Sequence, residues 1–185
     1  MKKLKNSELY RISIEEFKSS KKKPITILLE NIRSAHNIGS IFRTADSFLI
    51  NEIILCGISA QPPNKDIRKT ALGSSESVEW RYEKNIDKAI QKLKKEGNKI
   101  ISIEQTTNSI SLENFKPSNN DKYAIIFGNE VNGIEQRTIN LSDMAVEIPQ
   151  YGTKHSLNIS VAAGIIIWDI SVSYTHLTLP TRLSV

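Results

Sequence analysis

Short apolar segments that alternate with amphipathic segments constrain the fold of this chain more than any other feature. Residues 25–29 are apolar or β-branched throughout, and residues 37–48 then carry apolar side chains at helical spacing. Strands that are apolar along their whole length are typical of a sheet covered on both faces. The sequence therefore predicts an α/β fold, a mostly parallel sheet covered by helices. The further predicted strands are 52–56, 99–103, 123–127 and 144–148, and the further predicted helices are 86–95, 134–140 and 156–170.

The basic charge of the chain is concentrated at its N-terminus. Residues 1–23 carry eight Lys or Arg and three Glu, which equals the net charge of +5, so the remainder is neutral overall. Such a segment either steers the protein toward the phosphate backbone of a nucleic acid or is a solvated, frayed terminus. We divide the chain into a basic N-terminal extension (1–23), one domain (24–170) and an atypical tail (171–185). The tail departs from the helical pattern, and one interpretation is a non-native segment.

Several protein classes are disfavoured by composition. Cys56, the single cysteine, follows an apolar run and is predicted to be a small buried residue. A lone thiol cannot form an intramolecular disulfide, which fits a reducing cytoplasm. The longest apolar run, residues 165–168, is too short to cross a bilayer, so we expect no membrane association. His36 and His155 lack the spacing to other ligands that a metal site requires, so we expect no metal.

Three polar, glycine-containing segments occur at the ends of apolar segments, as binding loops on a rigid scaffold do. They are residues 31–45 (NIRSAHNIGSIFRTA), 127–135 (FGNEVNGIE) and 148–164 (IPQYGTKHSLNISVAAG). Parallel α/β sheets bind ligands at the carboxyl ends of their strands, where the second and third segments begin. Neither GxGxxG nor a Walker A motif is present, so neither a nicotinamide dinucleotide nor a nucleoside triphosphate is indicated.

In this order, the three segments resemble the three motifs of the SpoU or TrmH family. These proteins are ribose 2′-O-methyltransferases of tRNA and rRNA within the SPOUT superfamily, and the resemblance covers about residues 25–170. It implies a SPOUT α/β knot with a deep C-terminal trefoil knot, S-adenosylmethionine as cofactor and tRNA or rRNA as partner. It also implies a homodimer with its active site at the subunit interface. We therefore expect an S-adenosylmethionine-dependent RNA ribose 2′-O-methyltransferase in the cytoplasm.

The resemblance also implies site residues. Main-chain groups of the cofactor loops should hold the adenine and the ribose. The cofactor-binding residues would be Thr107, Gly128, Asn129, Glu130, Ile148, Gln150 and Leu157, and ordinary turn chemistry is the alternative role for the glycines. The catalytic residues would be Asn37, Arg43, Glu130, Ser156 and Asn158.

The implied catalytic residues have more than one possible role. Asn37, Ser156 and Asn158 are residue types that cap helix N-termini. Glu130 either pairs with the cofactor ammonium or organises Arg43. The guanidinium of Arg43 is always protonated, so we expect a phosphate clamp that orients the 2′-hydroxyl rather than a free base. A surface ion pair is the alternative for Arg43.

Two other functions keep the same fold. The first is a catalytically silent, knotted RNA-binding protein, which would not need the implied catalytic set. The second is a SPOUT methyltransferase that modifies a base. Asn37 and Arg43 in the first segment, together with residues 156–158 (SLN) in the third, favour ribose as the acceptor.

Overall fold

A seven-stranded parallel sheet forms the centre of the molecule in the computed structural model, which describes residues 1–176. The strand order is β3-β2-β1-β6-β4-β7-β5, and every neighbouring pair is parallel. The predicted α/β fold class is confirmed. The strands are β1 (Lys23–Glu30), β2 (Ile50–Cys56), β3 (Glu79–Glu83), β4 (Asn98–Ile103), β5 (Ile110–Ser111), β6 (Lys122–Phe127) and β7 (Met144–Glu147).

Helices cover both faces of this sheet. The helices are α1 (Ile14–Ser19), α2 (Ala35–Ser47), α3 (Lys65–Ala71), α4 (Ser74–Ser77), α5 (Ile86–Lys95), α6 (Gln136–Leu141) and α7 (Ile159–His176). Successive side chains of a strand point to opposite faces. Accordingly, Leu29 belongs to the core cluster that contains residues of α2, α3 and α7, whereas Leu28 belongs to the cluster that contains residues of α5. This double burial explains why the central strands are apolar throughout.

The sequence pattern indicated neither a strand nor a helix at residues 61–77, but α3 and α4 lie there. Asn64 caps α3, with its side-chain oxygen accepting from the main-chain N–H of Asp66 at 2.9 Å. Ile67 and Ala71, four residues apart, turn one face of α3 into the core. The strands β3 and β5 were also missed, since β3 is an edge strand of mostly polar residues and β5 has only two residues.

The last helix extends further than the sequence pattern indicated. It begins at Ile159 rather than at residue 156 and runs to His176, so the predicted departure from helical pattern at Ser171 is wrong. Tyr174 is buried one turn after Ile170, and its ring meets that of Tyr123 edge to face. Residues 177–185, the rest of the predicted tail, lie outside the described residues, and the proposed division of the chain stays a prediction.

The second half of the N-terminal extension packs on the domain and is not frayed. Ser13 and Glu16 form a capping box at the start of α1. Phe17 is 3% exposed and belongs to the core of the α2 face. The ammonium of Lys22 lies 4.4 Å from the centre of the Phe17 ring, while residues 1–5 are exposed.

The single cysteine lies in the interior of the protein. Cys56 is 1% exposed, as predicted, and burial raises the pKa of its thiol to about 12. Across residues 1–176, no helix combines the length and the apolar composition that a membrane span requires. The deep trefoil knot stays a prediction.

Candidate active site

A cavity of about 570 Å³ lies where β4, β6 and β7 end. Its wall consists of residues 103–105, 127–134, 147–148, 150 and 155–159, together with Ala162. These are the loops that follow the three strands, so the second and third sequence segments meet here. The predicted cofactor-binding residues that line the cavity are Gly128, Asn129, Glu130, Ile148, Gln150 and Leu157.

Thr107, the remaining predicted cofactor residue, does not line this cavity. It is exposed in the loop after β4, two residues beyond Gln105. Glu104 and Gln105 form this part of the wall instead. The Glu104 carboxylate accepts from the main-chain N–H of Ile134 at 3.0 Å, which ties the loop after β4 to the loop after β6.

The loop after β6 is a tight turn that needs glycine. Asn129 and Gly133 exchange two main-chain hydrogen bonds of 3.0 and 2.9 Å, and Gly133 has φ +67°. A Cβ atom on Gly128 would overlap the main chain of Gly133 and Ile134. Turn chemistry therefore accounts for both glycines, and the same turn forms one wall of the cavity.

A chain of side-chain hydrogen bonds connects the three sequence segments beside the cavity. The Asn37 amide donates to Glu130 Oε1 at 3.4 Å. The Asn158 amide donates to Asn37 Oδ1 at 3.2 Å. Glu130 also accepts from the main-chain N–H groups of Arg33 at 3.3 Å and Ser34 at 3.1 Å, at the start of α2. The structure thus brings Asn37, Glu130 and Asn158 together.

Helix capping explains some of these polar residues and not others. Ser34 caps α2, because its side-chain oxygen accepts from the main-chain N–H of Asn37 at 3.3 Å, so the capping role considered for Asn37 is wrong. Asn158 does cap α7, accepting from the Ser160 N–H at 2.9 Å while its amide donates to Asn37. Ser156 is exposed, lines the cavity and lies outside α7.

The Glu130 carboxylate is stabilised in its ionised form. Burial raises its pKa, but hydrogen bonds from its own main-chain N–H, from those of Ser34 and Arg33, and from the Asn37 amide outweigh that effect. The pKa therefore lies below its ordinary value. A carboxylate also interacts favourably with the positive end of a helix dipole, which α2 presents here.

Arg43 lies apart from this hydrogen-bonded chain. It is exposed on α2, almost two turns after Asn37, and is not part of the cavity wall. Its guanidinium makes no hydrogen bond or ion pair with any residue between 1 and 176. The surface ion pair considered for Arg43 is therefore not observed within that part of the chain, and Glu130 does not contact it.

Sequence reasoning missed a residue that joins the loops around the site. Asn31, in a left-handed conformation with φ +57°, accepts from the Ile58 N–H at 3.1 Å and donates to Glu135 at 2.9 Å. Its main-chain oxygen accepts from the Asn129 amide at 2.7 Å. The loops after β1, β2 and β6 are thus fixed to one another. The sequence signal that could have indicated this role is an asparagine directly after a predicted strand, because asparagine tolerates the left-handed conformation.

The main chain after β7 has many unpaired polar groups. Between residues 150 and 157, the main chain makes one hydrogen bond with the described residues, in which the His155 oxygen accepts from Gln105 at 2.9 Å. Free N–H and C=O groups beside a cavity can bind the polar edge of a ligand. Within residues 1–176, no group of three or more His, Cys, Asp or Glu side chains is placed to hold a metal ion.

The chain is similar in sequence to RNA-modifying enzymes. The model of the SpoU rRNA methylase family matches residues 24–168. A 23S rRNA (guanosine-2′-O-)-methyltransferase of Neisseria meningitidis is 31% identical over 78% of this chain and 56% of its own. A tRNA (guanosine(18)-2′-O)-methyltransferase of Borreliella burgdorferi is 32% identical over 79% of this chain and 65% of its own. The chain thus spans less than two thirds of the length of these two relatives.

Solved structures share the fold. The TrmH/SpoU tRNA modifying enzyme of A. aeolicus has a TM-score of 0.76 at 22% identity, over 91% of this chain and 87% of its own. An AdoMet-bound rRNA methyltransferase from Sinorhizobium meliloti has a TM-score of 0.75 at 23% identity, over 86% of this chain and 59% of its own. The family match over residues 24–168 shows that the chain belongs to the SpoU rRNA methylase family.

Proposed function

We propose that this protein transfers a methyl group from S-adenosylmethionine to a ribose 2′-hydroxyl of tRNA or rRNA. The observation that carries the proposal is the hydrogen-bonded chain Glu130–Asn37–Asn158, which joins all three sequence segments beside one cavity. A sequence that had kept only the fold would not need to hold these polar side chains together. The names of the relatives from Neisseria and Borreliella, both guanosine 2′-O-methyltransferases, support the same reaction.

The cavity fits S-adenosylmethionine in size and in the character of its wall. About 570 Å³ is within the usual range of small-molecule sites. The largely unpaired main chain of residues 150–157 offers donors and acceptors for an adenine edge, and Gly128, Ile148 and Leu157 line the same wall. When bound, the cofactor supplies a methyl group that is already activated on a sulfonium sulfur. No metal is required in this proposal.

The residues of the chain position the acceptor. Glu130 fixes the amide of Asn37, and Asn37 fixes that of Asn158, so the hydrogen-bonding groups at the cavity are oriented in advance. Ser156 offers a hydroxyl on the wall. Arg43, which is always protonated, holds the phosphate of the target nucleotide and thereby orients its 2′-hydroxyl.

We propose a cytoplasmic homodimer whose contact is an apolar stripe on α7. Val161, Ile165 and Trp168 are 50%, 37% and 55% exposed, and their spacing of four and three residues places them on one face. Leu157, 37% exposed, precedes them by one turn.

The proposal is tested with purified protein, S-adenosylmethionine carrying a labelled methyl group, and unmodified tRNA or rRNA. Nucleoside mass spectrometry of the product should show the label on a ribose. Label on a base would identify a base methyltransferase instead. Calorimetry that detects RNA binding without cofactor binding would identify a catalytically silent RNA-binding protein. Exhaustive chelation should leave the transfer rate unchanged.

A further inference from the structure

The arginines of the domain differ in whether they have acidic partners. Of the five arginines within residues 24–176, Arg81 and Arg137 form ion pairs, with shortest distances of 2.8 Å. The other three make no side-chain hydrogen bond or ion pair with residues 1–176: Arg33, Arg43 and Arg68. Arg33 lies on the loop before α2, Arg43 lies on α2, and Arg68 lies on α3.

The helices α2 and α3 are in direct contact. A Cβ atom at Gly39 of α2 would overlap the main-chain oxygen of Ile67 and the hydroxyl of Thr70 on α3. The Thr70 hydroxyl also donates to the main-chain oxygen of His36 at 3.0 Å. Because no side chain separates the helices here, their exposed faces form one surface. Arg43 lies on this side of α2, one turn after Gly39.

The exposed face of α3 adds more positive charge to that surface. Lys65, Arg68 and Lys69 are all exposed. The acids of the two helices are Asp46 and Asp66, and the Asp46 carboxylate already accepts a hydrogen bond from a serine hydroxyl. We name the α2–α3 basic surface by its residues, which are Arg33, Arg43, Lys65, Arg68 and Lys69.

The α2–α3 basic surface reaches the candidate active site. The helix α2 follows the short loop at the carboxyl end of β1, so it starts at the edge of the sheet where the cavity lies, and α3 packs against it at Gly39. Arg33 is at the rim itself, because its main-chain N–H donates to Glu130 at 3.3 Å. The surface thus extends from the rim across α2 to α3.

We propose that the α2–α3 basic surface binds the phosphate backbone of the substrate RNA and guides the target nucleotide to the cavity. This inference rests on the proposed function. Cations without an acidic partner can bind phosphate without first breaking an ion pair, and guanidinium groups bind phosphate with two parallel hydrogen bonds. The release of counterions from RNA then supplies affinity that depends on salt.

The test compares two double variants that remove the same charge from opposite faces of the sheet. Arg68→Ala with Lys69→Ala changes the α2–α3 basic surface outside the proposed catalytic residues. Lys88→Ala with Lys95→Ala changes α5, which packs on the other face, at exposed positions without an ion pair among the described residues. Binding of labelled tRNA and rRNA fragments is measured by fluorescence anisotropy at several salt concentrations, with cofactor affinity by calorimetry.

We expect the α3 variant to bind RNA about tenfold more weakly at low salt, and the α5 variant to bind like the wild type. The slope of log affinity against log salt should fall by about 0.7 to 0.9 for each phosphate that the variant no longer binds. Cofactor affinity should be unchanged in both variants, which shows that the domain is folded. Equal RNA affinity of both variants would overturn the inference. The α2–α3 basic surface would then be assigned to the binding of an acidic protein partner.

Failure of the proposed function is distinguishable from failure of this inference. If the wild type transfers no methyl group but the α3 variant still binds RNA more weakly, the reaction is wrong and the RNA surface stands. If the wild type methylates RNA and both variants bind it equally, the reaction stands and the surface is wrong. A wild type that binds no RNA overturns both.

Discussion

Glu130 is fixed by donors from a segment almost a hundred residues earlier in the chain. Its carboxylate accepts from the Ser34 N–H at 3.1 Å and from the Asn37 amide at 3.4 Å. Ser34 caps α2 and Asn37 lies in its first turn, where a negative charge is favoured by the helix dipole. The charge of Glu130 therefore stabilises the contact between the first and second sequence segments.

Substitution of Glu130 by glutamine should lower the stability of the protein in a pH-dependent way. The carboxylate pKa is lowered by folding, so its stabilisation is complete above the ordinary value near 4.5 and is lost as the pH falls through the lower folded value. At neutral pH the loss should be up to about 1 kcal/mol, because the group is partly exposed. Urea unfolding of both proteins from pH 7 to 3 measures this, and a difference that grows toward acid pH would contradict it.

Substitution of Arg43 by lysine should separate cofactor binding from catalysis. Lysine keeps the charge but lacks the planar guanidinium group that binds a phosphate with two hydrogen bonds. We expect turnover to fall roughly tenfold to a hundredfold, because a small displacement of the acceptor is costly. The affinity for S-adenosylmethionine, measured by calorimetry, should stay at the wild-type value. Undiminished methylation by this variant would remove Arg43 from the catalytic set.

At the scale of helices, two glycines provide a matched pair of substitutions. Gly39→Ala would place a Cβ atom against the main chain of α3, which must move, at a cost of about 1 to 3 kcal/mol. Gly164→Ala, inside α7, meets no atom of its own chain within 4 Å and should stabilise the single subunit by roughly 0.5 to 1 kcal/mol through helix propensity. Thermal unfolding of both variants measures the contrast. Equal shifts would mean that α2 and α3 are not in close contact.

Strands and helices differed in how well the sequence predicted them. The long apolar strands, such as β1 and β6, were predicted because both of their faces are covered, which leaves an uninterrupted signal. The helix α3 was missed because only Ile67 and Ala71 are apolar core contacts in a mostly polar stretch. For the site, the motifs predicted most of the residues in the cavity wall. Asn31 and Glu104 were missed because they join loops that are distant in sequence.

For the whole molecule, the role of the basic extension is best tested by substitution. A protein that begins at residue 24 would lack Phe17, which belongs to the core. The effect of losing positive charge could then not be separated from the effect of losing stability. We expect Lys2→Ala, Lys3→Ala and Lys5→Ala together to flatten the salt dependence of RNA binding, with cofactor affinity unchanged. Slopes equal to the wild type would identify these lysines as a solvated segment.

The proposed homodimer makes a prediction about one exposed side chain. Trp168→Asp should convert the dimer to a monomer, because it places a charge in the apolar stripe of α7. Leu72→Asp, at an apolar side chain that is 66% exposed outside α7, is the control and should leave the assembly unchanged. Sedimentation velocity measures both, and a Trp168→Asp variant that remains dimeric would place the contact elsewhere.

The position of β1 in the sheet has a consequence for how the chain reaches its native state. β1 is central, and it pairs with β6 through partners such as Ile25 and Tyr123, which are 98 positions apart in the sequence. During synthesis, β1 is made early, and nearly a hundred further residues must be added before that pairing can form. Closing so long a loop makes folding slow. Until β6 is synthesised, one hydrogen-bonding edge of β1 is unpaired and can associate with other nascent chains. Chaperone binding should therefore be strongest at this stage of translation.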